Sequence, residues 1–188
     1  MRIISGNYKG KKIIEPKDSL TRPLKDLTKE SIFNIINHSK KIDLELINSN
    51  VLDLFSGVGS FGLECLSRGA KNVIFVENYQ NVLNILEKNL QSLKFNNNYK
   101  IINKDIYTEN IFFNLKEKFD IVFLDPPYKD TNIKQIFEKI SDANILKENS
   151  IIILHRHKKE EEIFSKSFNV IEKKKYGISK IIFFSYSN

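Results

Sequence analysis

The feature that most limits what this chain can become is an alternation that begins at Asn50. Apolar runs of strand length take turns with segments whose apolar residues recur at helical spacing. Residues 51–54, 73–76, 100–103, 119–124 and 150–154 read as strands, and 60–68, 79–93 and 133–140 as helices. Such alternation predicts a mostly parallel sheet with helices on both faces and right-handed crossovers. The end breaks the pattern. Residues 168–176 and 178–185 are two strands with only Gly177 between them. With no helix to carry the chain back, they must pair antiparallel. The expected architecture is α/β: a seven-stranded sheet, parallel for the most part and closed by a C-terminal antiparallel hairpin.

The strand at 119–124 runs into Asp125-Pro126-Pro127-Tyr128. Proline cannot continue a strand inside a sheet, so the strand stops there. Two prolines fix two φ angles, and Pro127 pushes Pro126 toward an extended conformation. The stiff corner presents a carboxylate, a free carbonyl at Pro126 and a flat aromatic ring. Those groups suit a planar ring that bears an amine. They equally suit a strand-ending turn with a solvated Asp125 and a packed Tyr128, and the four residues alone do not separate the two.

Asp53 to Gly62, with Phe55, Ser56, Gly57 and Gly59 between, follows the first parallel strand and opens a helix. Glycines admit a ligand close to the backbone, and a helix start offers unpaired N–H groups. Ligands of such sheets sit at the carboxyl ends of the strands. Gly57-x-Gly59-x-x-Gly62 also matches the dinucleotide pattern, with Glu77 20 residues past Gly57. Two features argue for another cofactor. Asp53 would repel a pyrophosphate but welcome an ammonium group, and no hydride-transfer site accompanies the loop. S-adenosyl-L-methionine, with a sulfonium, an amino group and no phosphate, suits an acidic, glycine-lined pocket. Glu77, followed by Asn78, ends the second strand and can accept two ribose hydroxyls. Asp105, followed by Ile106, comes after the third and can accept from an adenine amine.

Residues 1–15 read as a hairpin, with 2–5 and 11–15 flanking the turn-rich 6–10. It carries Arg2, Lys9, Lys11 and Lys12 beside Tyr8, a mixture of phosphate partners and a stacking ring. Lysines on an edge ribbon also discourage aggregation, which is the plainer account. Arg22, held by Pro23, is a candidate clamp for a phosphate or carboxylate. A helix is expected near 26–37, with Asp26 as its N-cap and Leu27, Ile32, Phe33, Ile35 and Ile36 on its apolar side. The 158–162 run, Lys-Lys-Glu-Glu-Glu, reads as a solvated helical turn.

Length and charge bound the function. A chain of 188 residues suits one domain. The net charge of +7 favours a polyanionic partner. No apolar run reaches membrane-spanning length, no signal-peptide core is evident, and the single Cys65 excludes a disulfide scaffold. These features fit a cytoplasmic protein without a membrane partner. His38, His155 and His157 make no metal-ligand spacing with Cys65, so no metal is expected. Cys65 is expected to be packed rather than reactive.

Together these residues resemble a known family. Asp53-x-Phe-x-Gly-x-Gly59, Glu77, Asp105 and Asp125-Pro-Pro-Tyr128 look like class I S-adenosylmethionine-dependent methyltransferases of exocyclic amines, with a Rossmann-like fold. The nearer resemblance is to the bacterial RsmD-type 16S ribosomal RNA (guanine-N2) methyltransferases. It rests on Met1-Arg-Ile-Ile-Ser-Gly6, Tyr8-Lys-Gly-Lys-Lys12, Thr21-Arg-Pro23, Glu30-Ser-Ile-Phe-Asn34, Gly62-Leu-Glu-Cys-Leu-Ser-Arg-Gly-Ala70 and the Tyr176-Gly177 turn. The resemblance implies methylation of a guanine N2, at position 966 of 16S ribosomal RNA, during small-subunit maturation. It implies a monomer working on an assembled or assembling particle. It divides the chain into an RNA-contacting hairpin, 1–16, and a methyltransferase domain, 17–188.

The resemblance also assigns residues. Asp125 and the Pro126 carbonyl would hold the amine, Pro127 would stiffen the corner, and Tyr128 would stack on the base. Asp53, Phe55, Ser56, Gly57, Gly59, Glu77, Asn78, Asp105 and Ile106 would hold the cofactor. Arg2, Tyr8, Lys9, Lys11, Lys12, Arg22 and Lys29 would meet RNA. Two stretches depart from the family pattern. The helix after Arg22-Pro23 usually begins Asp-Arg-Val-Arg-Glu, but here it reads Asp26-Leu-Thr-Lys-Glu30. After the fifth strand an acid is common, but here stand His155-Arg156-His157. The rivals are an adenine-N6 methyltransferase, which uses the same four-residue corner, a dinucleotide oxidoreductase, and a non-catalytic RNA-binding assembly factor on this fold.

Overall fold

The computed structural model describes residues 1–16, 24–95, 98–161 and 164–187. Seven strands form one sheet: β1 Asn50–Leu54, β2 Asn72–Glu77, β3 Tyr99–Asn103, β4 Phe119–Leu124, β5 Leu146–His157, β6 Phe168–Tyr176 and β7 Ser179–Tyr186. Their order is β3-β2-β1-β4-β5-β7-β6. The first five pair in parallel, while β7 pairs antiparallel with both β5 and β6. The expected sheet and closing hairpin are both present. The sequence order of the strands reverses between β1 and β4, the point at which sheets of this kind take their ligands, beyond the strand carboxyl ends.

Four α-helices cover the faces: α1 Asp26–His38, α2 Ser60–Ser67, α3 Gln80–Leu93 and α4 Ile133–Asp142. Alternation along the strands sorts two cores. Val51, Val73, Phe75, Ile121, Phe123, Ile151 and Ile153 face one, with α1, α2 and α3 packed on it. Leu52, Leu54, Ile74, Val122, Leu124 and Ile152 face the other, under α4. Helix α4 buries Ile133, Ile136, Phe137 and Ile140, one stripe at helical spacing. Each such side chain contributes about 1.5–3 kcal/mol of burial. Helix α2 is buried on all sides, and Gly62 explains how closely it lies on the sheet. A Cβ there would stand 2.3 Å from the Phe75 ring.

Helix α1 differs from expectation at its start. Asp26 is its first helical residue, and the N-cap is Lys25, which makes no side-chain cap. The Asp26 carboxylate instead accepts weakly from the Arg2 N–H at 3.5 Å. Leu27, expected on the apolar side, is 80% exposed. Thr28, Lys29, Ile32, Phe33 and Ile36 are the buried set. The stripe is therefore rotated toward Lys29, because a buried carboxylate on α2 stands there to pair with it.

The N-terminal segment pairs with itself antiparallel through a bridge between Arg2 and Lys12 rather than a ladder. It is held as a strap by buried side chains of α2 and α3. Glu64 accepts from the N–H groups of Ile4 (2.7 Å) and Ser5 (2.9 Å). The Ser67 hydroxyl accepts from Tyr8 N–H and donates to the Ser5 carbonyl. Asn89 accepts from Ile14 N–H at 2.8 Å, and its amide donates to the carbonyls of Ile14 and Val58. Gly6, at φ +80°, lies so close to α2 that a Cβ would meet the Ser67 carbonyl at 1.9 Å. At the other end, the Tyr176 hydroxyl bonds to Ser31 and ties the closing hairpin to α1.

Candidate active site

The glycine loop leaves β1 with a run of backbone conformations that only small or strained residues adopt. Phe55 (φ 57°), Gly57 (φ 55°) and Gly59 (φ 84°) all lie in the left-handed region. Asp53, the penultimate residue of β1 rather than its last, points under this loop. One carboxylate oxygen accepts from Gly62 N–H at 3.0 Å. The other, Oδ1, is buried without a partner among the described residues, as is the Ser56 hydroxyl. Burial pushes the Asp53 carboxyl well above the usual carboxylate range; the Gly62 bond opposes this, and the charges of Asp125 and Glu77 add to it. A buried acid of this kind lacks a cation.

Glu77 closes the loop from the end of β2. It accepts from Gly57 N–H at 2.8 Å and from Asn78 and Tyr79 N–H, both at 2.9 Å. Three of roughly four lone-pair positions are thus engaged, and there is room for about one further donor instead of the two expected from ribose. Asp105 accepts from Tyr107 N–H at 2.7 Å, with Ile106 buried beside it. Phe55 lies 6.1 Å from the Tyr107 ring, and Asn78 is exposed.

The corner at Asp125 to Tyr128 stands one strand away. Leu54 and Leu124 are register partners, and Asp125 N–H donates to the Leu54 carbonyl at 3.3 Å. His155 Nδ1 lies 2.7 Å from Asp125 Oδ1. Arg156, 1% exposed, reaches behind the corner with both guanidinium arms. It donates to the carbonyls of Pro127 (3.1 Å) and Asp130 (2.6 Å). Tyr107 donates its hydroxyl to the Asp130 carboxylate at 2.5 Å, so the loop after β3 and the corner form one unit. That bond and burial push the Tyr107 phenol strongly upward, burial being the larger cause. Among the described residues the Pro126 carbonyl has no donor. The Tyr128 ring meets the His155 ring edge-on at 6.0 Å and the His157 ring at 5.4 Å.

The structure gathers the expected cofactor residues and the corner at one sheet edge. The expected RNA residues divide. Lys9, Lys11 and Lys12 are exposed, and Arg2 is exposed beside Asp26. Tyr8 is half-buried with its ring edge-on to Phe95 at 4.7 Å. Lys29 does not reach the surface and cannot meet RNA there. Its ammonium donates to the Arg2 carbonyl and Ser60 hydroxyl, 3.8 Å from both Glu64 and Asp26. Burial lowers its pKa, and Glu64 and Asp26 oppose the shift. Arg22, with Thr21 and Pro23, lies outside the described residues, as does the end of the 158–162 turn. His155, Arg156 and His157 belong to β5 itself, which runs further than expected.

His155 and Arg156 emerge here as parts of the corner. Sequence did carry a signal for them: polar residues continuing a strand in register with Asp125. Cys65 is fully buried, which pushes its thiol well above the ordinary range. Among the described residues no group of three His, Cys, Asp or Glu side chains could hold a metal ion. Among the described residues no helix is long and apolar enough to cross a membrane.

Comparison with known proteins places the chain in a family. A family profile described as "Conserved hypothetical protein 95" matches residues 1–185. Ribosomal RNA small subunit methyltransferase D of Haemophilus influenzae is 34% identical over 179 residues, covering 95% of this chain and 90% of that one. The protein of that name from Buchnera aphidicola subsp. Baizongia pistaciae is 31% identical, covering 100% and 92%. The solved structure of yhhF from Escherichia coli superimposes with a TM-score of 0.82 at 26% identity, covering 99% and 97%. The chain belongs to this family, the RsmD family, and its fold is that of class I methyltransferases.

Proposed function

We propose that this protein transfers a methyl group from S-adenosyl-L-methionine to the N2 amine of a guanine in 16S ribosomal RNA. The observation that carries the reading is adjacency. A buried, cation-lacking carboxylate at Asp53 and an acceptor-rich corner at Asp125 lie at the ends of two adjacent strands, joined by the bond from Asp125 to Leu54. The names of the relatives favour ribosomal RNA as the substrate.

The pocket fits the cofactor. When bound, S-adenosylmethionine supplies an electrophilic methyl group on a sulfonium. Asp53 Oδ1 and the Ser56 hydroxyl would receive its amino-acid end, and Glu77 one ribose hydroxyl. Asp105 and Ile106 would take the adenine, with Phe55, Gly57, Gly59 and Asn78 shaping the cleft. An exocyclic amine is a weak nucleophile because its lone pair is spread into the ring. Hydrogen bonds from it to Asp125 and the Pro126 carbonyl favour the tetrahedral form and free that lone pair. Pro127 keeps the corner stiff, and Tyr128 stacks on a base drawn from its surroundings. Arg2, Lys9, Lys11 and Lys12 lie where phosphates can be met, with Arg22 as a further partner.

In this reading the protein acts in the cytoplasm, as a monomer, on an assembled or assembling small subunit. The test is methyl incorporation into small subunits from cells lacking the protein, followed by nucleoside analysis. N2-methylguanosine is expected. N6-methyladenosine would move the reading to the adenine enzymes, and no incorporation would leave a binding role.

A further inference from the structure

We propose that His155 is a positioning residue for methyl transfer, acting by holding one oxygen of Asp125 so that the other faces the amine. The proposal rests on the function above. It begins with register. Leu124 and Leu154 are partners in the parallel pair β4–β5, so the residues that follow them are neighbours. Successive side chains of a strand point to opposite faces. His155 therefore turns to the Asp53 side of the sheet while Arg156 turns to the Asp130 side. The end of β5 holds the corner from two directions.

The contact to Asp125 is short, 2.7 Å, and largely sheltered, the side chains being 10% and 18% exposed. An ionised carboxylate only accepts, so Nδ1 must carry the proton. His155 Nε2 is buried with no partner among the described residues. The geometry thus places a proton on Nδ1. A lone Asp carboxylate turns broadly about its last torsion. With Oδ1 anchored, that rotation stops, and Oδ2, which has no donor among the described residues, is held in one direction for the amine. The same imidazole lies edge-on to Tyr128, so one side chain supports both the amine clamp and the stacking ring.

The test compares wild type, His155→Ala and His155→Asn in methylation of undermethylated small subunits. Cofactor affinity is measured by calorimetry and folding by thermal melting. By analogy with the partners that orient ligands in metal sites, loss of a supporting hydrogen bond is expected to cost roughly 10–100-fold. For His155→Ala we expect kcat to fall by roughly that factor, while KM for the particle and cofactor affinity stay near wild type. Asparagine places its amide nitrogen close to the position of Nδ1 and should restore much of the loss. Nitrogen-15 spectra of the wild-type imidazole should show a proton on Nδ1, and Asp125→Ala should abolish its hydrogen-bonded signal. Unchanged kcat in His155→Ala, equal loss in Ala and Asn, or an Nε2–H tautomer would each overturn the proposal. If wild type methylates a different amine, the same comparison is made on that product and only the function reading fails. If it methylates none, the tautomer decides.

Discussion

The N-terminal strap and the corner at Asp125 use their polar groups in opposite ways. The strap gives its backbone to buried side chains: Ile4 and Ser5 to Glu64, Tyr8 to Ser67, Ile14 to Asn89, and the Arg2 carbonyl to Lys29. The corner has prolines without N–H groups, and among the described residues the second oxygen of Asp125 and the Pro126 carbonyl have no donor. Both segments looked like candidate contacts in the sequence. Only one retains acceptors for a ligand. Buried polar groups must find partners. A segment whose backbone is engaged internally has only its exposed side chains to offer a ligand, and one whose backbone and carboxylate acceptors lack donors is poised for a guest.

The comparison can be broken first at Glu64. Glu64→Ala removes two acceptors from the strap and leaves Lys29 buried without its fully sheltered partner. Breaking a buried pair costs about 3–5 kcal/mol, and denaturant unfolding should show a loss of that size. A loss under about 1 kcal/mol, the range of an exposed pair, would mean that the strap is not held from within. At the corner the effect should appear in rate instead. Asp125→Ala is expected to lower kcat roughly 10²–10³-fold, as for other preorganised polar groups, with cofactor affinity and melting temperature kept. Normal turnover would sink the role of the carboxylate.

Asp53 sharpens the contrast because it belongs to the core and to the site at once. Its folded pKa lies well above the ordinary 3.8. In the cofactor-free protein, its contribution to stability is full below about pH 3.8 and is lost as pH rises through the raised folded value. Asp53→Asn should flatten that alkaline-side loss in a series of unfolding curves. The same variant should weaken cofactor binding roughly tenfold, equal to about 1.4 kcal/mol. A stability curve unchanged by the substitution would show that the carboxyl is not held protonated. The smallest effect is expected from the strap's exposed lysines. Lys11→Gln should leave melting unchanged and reduce the salt slope of RNA binding by about 0.7 if it meets one phosphate. An unaltered slope would confine the strap to scaffolding.

Much of this was legible beforehand, and the rest was not for definable reasons. Strands β4 and β6 begin and end where their apolar patterns do, and α4 follows its stripe. The glycine loop and the corner announced themselves because proline and glycine act locally. Lys29 misled because a lysine near a helix start reads as exposed; the Glu64 that buries it is remote in sequence. Leu27 misled for the complementary reason. His155 and Arg156 looked like a departure on the substrate face and became supports of the corner once β5 was seen to continue through them.

The sequence by itself determined the order of the elements, the parallel sheet with its antiparallel close, and the chemical types gathered at the strand ends. Periodicity and backbone restriction operate over a few residues, so they can be read along the chain. Tertiary structure alone decided which polar groups are satisfied: that Glu64 binds the strap, that Glu77 is mostly engaged, and that Asp53 and Asp125 keep an open oxygen. Hydrogen bonds at 2.7–2.8 Å join residues as far apart as Ile14 and Asn89. No local rule foretells such a meeting.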